Sequence, residues 1–209
     1  MKVRDLLPKR RLVPTKNPSG KNWSEHKADL QKDFNSHCAY CGSYDGFRHT
    51  YFEVDHFIPK SLFEKGTKIT YCQYSNLVYS CKFCNNNKSS HWPTKDEDIC
   101  NANDEGFIDP CDSEFDNHLY RTKDGGIMWN SKLGEWMAKN AFKFDERDYA
   151  IKLLWELNQR RKLIYRFADE LKKRKKDSDE YNAILRQAEK ISFEYVLYDK
   201  ELMEYYNSI

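Results

Sequence analysis

Two cysteine pairs constrain this chain more than any other feature of its sequence. Cys38 and Cys41 form one C-x-x-C motif, Cys81 and Cys84 form a second, and 39 residues separate the two motifs. A two-residue gap lets both sulfurs of a motif turn toward one ion, and four thiolates complete a closed tetrahedral zinc site. We therefore expect one structural Zn²⁺ on these four cysteines. The alternative is four ordinary buried cysteines, which explains two independent motifs poorly.

The other cysteines and the apolar content limit the class of protein. The cysteines number seven, an odd number that cannot pair completely within one chain, and we expect Cys72, Cys100 and Cys111 to be structural thiols. No apolar run approaches the roughly 20 residues that a membrane helix needs. The first residues lack the apolar stretch of a secretory signal. We expect a cytoplasmic protein that makes no membrane contact.

The charges are distributed unevenly along the chain. The formal net charge is only +2, yet residues 1–37 carry +5, residues 38–94 carry +2, residues 95–150 carry −7 and residues 151–209 carry +2. A polyanion is expected to meet the first 94 residues and to avoid the following acidic segment. Hydrophobic residues make up 39% and aromatic residues 15% of the chain, enough large side chains to build a folded core.

Composition and periodicity predict four segments. Residues 1–36 form a basic arm, irregular over its proline-containing start and ordered only on a partner, followed by a helix that Ser24 caps. Residues 37–92 hold both cysteine motifs. Residues 93–144 form an acidic loop and a hairpin that turns at 123–126. Residues 145–209 form a helical extension of two helices.

The insert between the cysteine motifs carries a second set of potential ligands. Residues 51–58 are typical of a short strand that contains Asp55 and His56, and Asn76 precedes a second strand at 77–79. Neighbouring side chains on a strand point to opposite sides, so the carboxylate can bind a metal while the imidazole faces the reacting centre. A neutral imidazole is suited to deprotonating water near pH 7. Carboxylate and amide oxygens suit Mg²⁺ or Mn²⁺. We therefore expect two metal sites: a closed site with soft thiolate ligands and an open site with hard oxygen ligands.

The order of these motifs resembles the HNH endonuclease family. The resemblance covers about residues 37–90 and is carried by Cys38-Ala-Tyr-Cys41-Gly, Glu53-Val-Asp-His56-Phe-Ile-Pro-Lys and Asn76-Leu-Val-Tyr-Ser-Cys81-Lys-Phe-Cys84-Asn85-Asn-Asn-Lys88. It implies an α+β fold with a small ββα-metal core, a four-cysteine zinc site and an α-rich C-terminal extension. It also implies a metal-dependent hydrolase of DNA phosphodiesters.

The same resemblance implies a role for each site residue. His56 matches the general base, and Asn76 matches the residue that holds the loop and orients that base. Asn85 stands at the last position of the motif, often His, so that the chain is an H-N-N variant that favours magnesium. Asp55 matches the acidic metal ligand paired with Asn85, while Asn86 and Asn87 compete with Asn85 for that role. Lys88 is expected to contact a backbone phosphate.

A second, gapped resemblance covers residues 107–166. It is carried by Phe107-Ile-Asp109-Pro110-Cys111, His118-Leu, Asp124-Gly, Gly134, Leu157-Asn158 and Arg166. These residues are similar to the tail of HNH nucleases from retron and Septu-type anti-phage defence systems, where an ABC or SMC-like ATPase accompanies the nuclease. This likeness implies a defence nuclease with an ATPase partner. The alternative is a scaffold extension without a partner.

Aromatic residues within the acidic segment suggest where that partner docks. We expect exposed rings at Phe107, Phe115, Tyr120, Trp129 and Trp136, because rings among charges suit a protein interface. The alternative is that these rings pack onto the C-terminal helices.

Two other functions compete with a defence nuclease. A stand-alone restriction or homing-type HNH nuclease needs its own sequence-reading module, and we find no helix-turn-helix or further zinc finger in the sequence. A non-catalytic zinc-ribbon module that binds nucleic acid explains the four cysteines. It leaves Asp55, His56, Asn76 and Asn85 unexplained.

Overall fold

The fold is α+β, as the sequence predicts. The computed structural model describes residues 1–47, 50–63 and 66–208. The strands are β1 Phe52–His56, β2 Leu77–Cys81, β3 Asn101–Ala102, β4 Glu105–Gly106, β5 Leu119–Arg121 and β6 Ile127–Trp129. The α-helices are α1 Lys27–Asp33, α2 Lys60–Phe63, α3 Lys82–Lys88, α4 Phe115–His118, α5 Lys132–Trp136, α6 Asp148–Lys172 and α7 Asp179–Asn207. Short 3₁₀ turns occupy Trp23–His26, Asp45–Phe47 and Tyr74–Asn76, and a π-helical turn occupies Met137–Ala141.

The predicted ββα core is confirmed. Strands β1 and β2 pair in antiparallel register, with Asp55 opposite Val78 and His56 opposite Leu77. Helix α3 follows β2 without a loop and begins at Lys82. The first strand, Phe52–His56, is shorter than the predicted 51–58, and one further backbone bond in the same register follows its end. There Phe57 N–H bonds to the Asn76 carbonyl.

The N-terminal segment differs from the prediction in two ways. The predicted helix is instead a 3₁₀ turn over Trp23–His26 followed by α1, and Ser24 lies inside that turn without capping it. The arm before it has no helix or strand, but it is anchored to the domain by its arginines. Arg4 is buried in an ion pair with Asp116 at 3.2 Å. Arg10 bonds both oxygens of Asp109. The charges of these arginines are therefore compensated within the chain.

The acidic segment folds into two small hairpins. Strands β3 and β4 form the first and β5 and β6 the second, which confirms the predicted turn at 123–126. The expectation of exposed rings is wrong, since Phe107 and Phe115 are buried and Tyr120, Trp129 and Trp136 are partly covered. Phe107 stacks on Trp92 with ring centroids 5.6 Å apart. These rings build the core because apolar surface gains more from burial than from contact with water.

The predicted C-terminal helices are confirmed as α6 and α7. The chain forms two compact units, residues 1–148 and 149–209. Within the second unit the two helices run antiparallel, since Arg160 pairs with Glu194 and Tyr149 with Glu201. The Ser178 hydroxyl accepts from Tyr181 N–H and caps α7. The four-segment layout stays a prediction.

Candidate active site and zinc site

The four cysteines of the two motifs lie together. The Sγ atoms of Cys38, Cys41, Cys81 and Cys84 are all within 4.8 Å of one another, and all four residues are buried. Cys41 Sγ and Cys81 Sγ are 3.8 Å apart. The edge of a tetrahedron with Zn–S bonds near 2.3 Å is about 3.8 Å. The chemistry and spacing of this donor set fit Zn²⁺, and Cys72, Cys100 and Cys111 take no part in the cluster.

A polar cleft opens beside the hairpin and is separate from the cysteine cluster. Its volume is about 370 Å³. Three predicted site residues, Asp55, His56 and Asn85, line it. The other lining residues are Val54, Pro59, Lys60, Ser61, Asn86, Ser89 and Ser90. The strand β1, the loop after it and the helix α3 therefore contribute to one open site, as a reaction on an external substrate requires.

His56 is held in one tautomer by its surroundings. Its Nε2 lies 2.8 Å from the carbonyl oxygen of Tyr71, and a carbonyl only accepts, so Nε2 carries the proton and Nδ1 the lone pair. The imidazole meets the rings of Trp23 and Phe63 edge to face, with centroid distances of 5.1 and 5.5 Å. Burial among these rings lowers the pKa of His56 from its ordinary value. The imidazole is therefore neutral at pH 7.

Asn76 closes the loop that follows β1. Its Oδ1 accepts from Ile58 N–H at 2.8 Å, and its Nδ2 donates to Ile58 O at 3.0 Å. Asn76 is itself buried. This two-bond clamp fixes the backbone two residues after His56. The predicted role of Asn76 in orienting a general base stays a prediction.

Asn85 is oriented by Glu53, a residue for which the sequence predicts no role. Its Nδ2 donates to Glu53 Oε2 at 2.7 Å. Because a carboxylate only accepts, Oδ1 is the amide atom left for a cation. Of the two competing residues, Asn86 also lines the cleft, whereas Asn87 Nδ2 donates to the Phe83 carbonyl within α3. Glu53 stands two residues before Asp55, and the alternation of a strand places both on one face.

Lys88 occupies a different place from the one predicted. Its side chain is fully buried, with Nζ 3.4 Å from Asp55 Oδ2 and donating to the His56 carbonyl at 2.8 Å. Tyr40 O–H also donates to Asp55 Oδ2, at 2.6 Å. A direct contact with a backbone phosphate does not agree with this burial. Lys88 instead joins α3 to Asp55 and His56 of β1.

The comparison with protein families agrees with this arrangement. Residues 38–91 match the HNH endonuclease family. The matched region holds both cysteine motifs and all five predicted site residues. No curated protein matches the chain. No solved structure matches it either.

Residues outside the HNH region also support its cysteine cluster. Arg147 is buried, and its Nη1 lies 3.3 Å from Cys81 Sγ. Arg121 is buried as well and donates to the Cys41 carbonyl at 2.6 Å. Their positive charges face a cluster whose four thiolates would leave bound Zn²⁺ with net negative charge. Sequence reasoning missed both arginines, because no motif links them to cysteines about 66 and 80 positions away.

None of the helices in the described ranges is both long enough and apolar enough to cross a bilayer.

Proposed function

We propose that this chain is a metal-dependent HNH endonuclease that hydrolyses phosphodiester bonds of DNA. The observation that carries the proposal is the convergence of Asp55, His56 and Asn85 on one open cleft within the HNH region. The H-N-N pattern of His56, Asn76 and Asn85 belongs to the same proposal.

His56 is the general base of the proposed reaction. The Tyr71 carbonyl holds the proton on Nε2, so Nδ1 is free to take a proton from an attacking water. Burial lowers the imidazole pKa, which keeps this lone pair available at neutral pH. Asn76 fixes the loop after His56, and Lys88 fixes the His56 carbonyl. The rings around His56 exclude bulk water from one side of the imidazole.

Asp55 and Asn85 are the proposed ligands of a hard divalent ion. Both line the cleft, and the contact with Glu53 directs the amide nitrogen of Asn85 away, leaving its oxygen for a cation. Carboxylate and amide oxygens fit Mg²⁺ or Mn²⁺ and not a soft metal. When bound, such an ion supplies stabilisation of the negative charge that develops on the phosphate and its leaving oxygen.

The four-cysteine site is proposed to hold structural zinc. A closed set of four buried thiolates leaves no coordination position for substrate. Cys38 and Cys41 in the loop of the first motif, Cys81 at the end of β2 and Cys84 at the start of α3 would hold the zinc, which would tie the hairpin to its helix. Cysteines that serve a metal site are typical of the cytoplasm, which is the proposed site of action.

A cleavage assay separates a nuclease from a zinc-ribbon binding module. Purified protein with its zinc retained is incubated with supercoiled plasmid, linear duplex DNA and a single-stranded circle, each with Mg²⁺, with Mn²⁺ and without added metal. A nuclease cuts at least one substrate only when the hard metal is present. A binding module retards the DNA and leaves it intact under every condition.

The finer proposal is a role in bacterial anti-phage defence with an ABC or SMC-like ATPase. Its support is the resemblance of residues 107–166 and the net charge of −7 over residues 95–150, which suits a basic protein partner better than DNA. The aromatic rings of this segment are largely covered, so they do not support a docking site for that partner. Co-purification with the product of a neighbouring ATPase gene tests this role against that of a stand-alone restriction or homing-type nuclease.

A further inference from the structure

Two aromatic rings and two lysines form a column beside the cleft. The rings of Trp23 and Tyr71 stack with centroids 5.8 Å apart and planes 22° apart. Lys60 Nζ lies 4.5 Å from the Trp23 ring centroid, and Lys21 Nζ lies 5.4 Å from that of Tyr71. Each ring thus holds one ammonium group by cation–π attraction. These four residues are called the lysine–aromatic column below.

The column adjoins the proposed general base. The Trp23 ring lies 5.1 Å from the His56 ring, and the Tyr71 ring lies 6.3 Å from it. Lys60 itself lines the cleft. Trp23 and Lys21 precede the HNH region, so the column joins a segment outside that region to the catalytic hairpin. Because Lys60 lines the cleft and both rings adjoin His56, a nucleic-acid strand whose scissile phosphate reaches His56 lies near these ammonium groups.

The two lysines differ from the basic residues of the N-terminal arm. Arg4, Arg10 and Arg11 are all engaged by carboxylates. Lys21 and Lys60 are exposed, and neither is paired with a carboxylate among the residues that the structure describes. A ring attracts an ammonium by charge alone and takes none of its three N–H donors in a conventional hydrogen bond. The donors of both lysines therefore remain available to an external anion.

We propose that Lys21 and Lys60 bind backbone phosphates that flank the scissile phosphate of the DNA strand in the cleft. The inference rests on the proposed nuclease function and adds the residues that position its substrate. Phosphates are favoured over bases as the ligand because Trp23 and Tyr71 already stack on each other. The rings also restrict the lysine side chains before binding, which lowers the entropy lost when they meet phosphate.

The test is the salt dependence of DNA binding. Affinity of the full zinc-containing chain for a 5′-fluorescein-labelled 20-base-pair duplex is measured by anisotropy, with Ca²⁺ replacing the catalytic metal, from about 50 to 300 mM salt. The proteins are wild type, Lys21→Gln, Lys60→Gln and the double variant. Lys123→Gln is the matched control, since Lys123 is an exposed lysine in the β5–β6 turn. Zinc content and melting temperature are checked for every variant.

The loss of each phosphate contact should change the salt dependence of DNA binding by a defined amount. The slope of log Kd against log salt should fall by about 0.9 for each single variant and by about twice that for the double variant. At 50 mM salt each single substitution should weaken binding about tenfold. Lys123→Gln should leave both quantities unchanged. Trp23→Leu, which removes the ring under Lys60, should weaken binding less than Lys60→Gln.

Several results would overturn the inference. Salt-dependence slopes that are unchanged in both lysine variants would overturn it. An equal loss of DNA affinity for Lys123→Gln would overturn it as well. A large loss of DNA affinity for Trp23→Leu, with unchanged slopes in the lysine variants, would show that a DNA base stacks on Trp23 instead. If the wild-type protein cleaves DNA and the lysine variants bind DNA normally, this inference is contradicted and the nuclease function is not. Wild type that binds but never cleaves, with the predicted slope losses, supports the inference and contradicts the nuclease function. Wild type that neither binds nor cleaves contradicts both.

Discussion

At the residue scale, the proposed metal ligands Asp55 and Asn85 depend on neighbouring side chains for their orientation. Asp55 receives Tyr40 O–H and the Lys88 ammonium on the same oxygen, and Asn85 is turned by Glu53. These contacts set which atom of each ligand faces the cleft. A bound metal is sensitive to such neighbours, because they determine the orientation and basicity of its ligands.

Glu53 provides the first prediction at this scale. Glu53→Ala should weaken Mn²⁺ binding about 10–100-fold, because Asn85 loses the group that directs its oxygen toward the cleft. Glu53→Gln should retain most of the affinity, since its side-chain carbonyl still accepts from Asn85 Nδ2. Mn²⁺ titration followed by electron paramagnetic resonance measures both variants. Equal losses for the two substitutions would mean that Glu53 acts through its charge alone.

Lys88 provides the second prediction at the residue scale. Lys88→Met leaves the buried Asp55 carboxylate without its counter-charge, and removing one partner of a buried pair typically costs about 3–5 kcal/mol of unfolding free energy. Lys82→Met is the control, because Lys82 is exposed on the same helix. Chemical denaturation of the zinc-loaded proteins measures the difference. If the two variants are equally stable, the contact between Lys88 and Asp55 contributes nothing to the fold.

At the element scale, two short strands and one short helix form the candidate site. The β1–β2 hairpin spans five residues per strand and α3 spans seven. An isolated two-stranded hairpin is marginal in water. Cys81 ends β2 and Cys84 lies in the first turn of α3, so a metal bound to both would hold the junction of strand and helix.

The zinc site is tested at this scale. Cys84→Ser should lose the metal and lower the melting temperature, since metal binding at such sites is folding free energy. Cys72→Ser should keep both, because Cys72 lies outside the cluster. Elemental analysis together with thermal unfolding reports the two quantities. Full zinc content in all four single variants of the cysteine cluster would disprove the assignment.

The features that the sequence predicts correctly depend on the spacing of residues close together in the chain. The features that it misses depend on contacts between distant parts of the chain. The cysteine cluster and the ββα order follow from motifs a few residues long, and the β5–β6 turn follows from Asp124-Gly125-Gly126. The burial of Phe107 and Lys88 was missed, because acidic neighbours and a charged residue type both suggest solvent. The positions of Trp23 and Arg147 were missed too, because each meets a partner more than thirty residues away.

At the scale of the whole molecule, the HNH region is one part of a larger folded unit. The first compact unit covers residues 1–148, whereas the family match covers residues 38–91. Arg4 connects three parts of this unit, since it bonds the Ala39 carbonyl, the Pro110 carbonyl and the Asp116 carboxylate. The arm is therefore part of the fold of this unit, and its arginines are not a free surface for nucleic acid.

The arm yields a prediction about stability. Arg4→Met should reduce the unfolding free energy by about 3 kcal/mol, because it leaves Asp116 buried without its partner. The exposed Lys2 is the control, and Lys2→Met should change stability by less than about 0.5 kcal/mol. Denaturant titration of the full chain distinguishes them. Matching midpoints and slopes for the two variants would show that the arm is not part of the folded unit.

The most direct test of the account is the single-turnover cleavage rate of His56 variants at saturating Mg²⁺ or Mn²⁺. His56→Ala and the bulkier His56→Gln should each lower the rate about 10²–10⁴-fold, as expected for a lost general base, while zinc content and melting temperature stay near those of wild type. His91→Ala, at an exposed histidine of the HNH region, should cleave normally. Near-normal cleavage by both His56 variants, with the same metal dependence as wild type, would contradict the account.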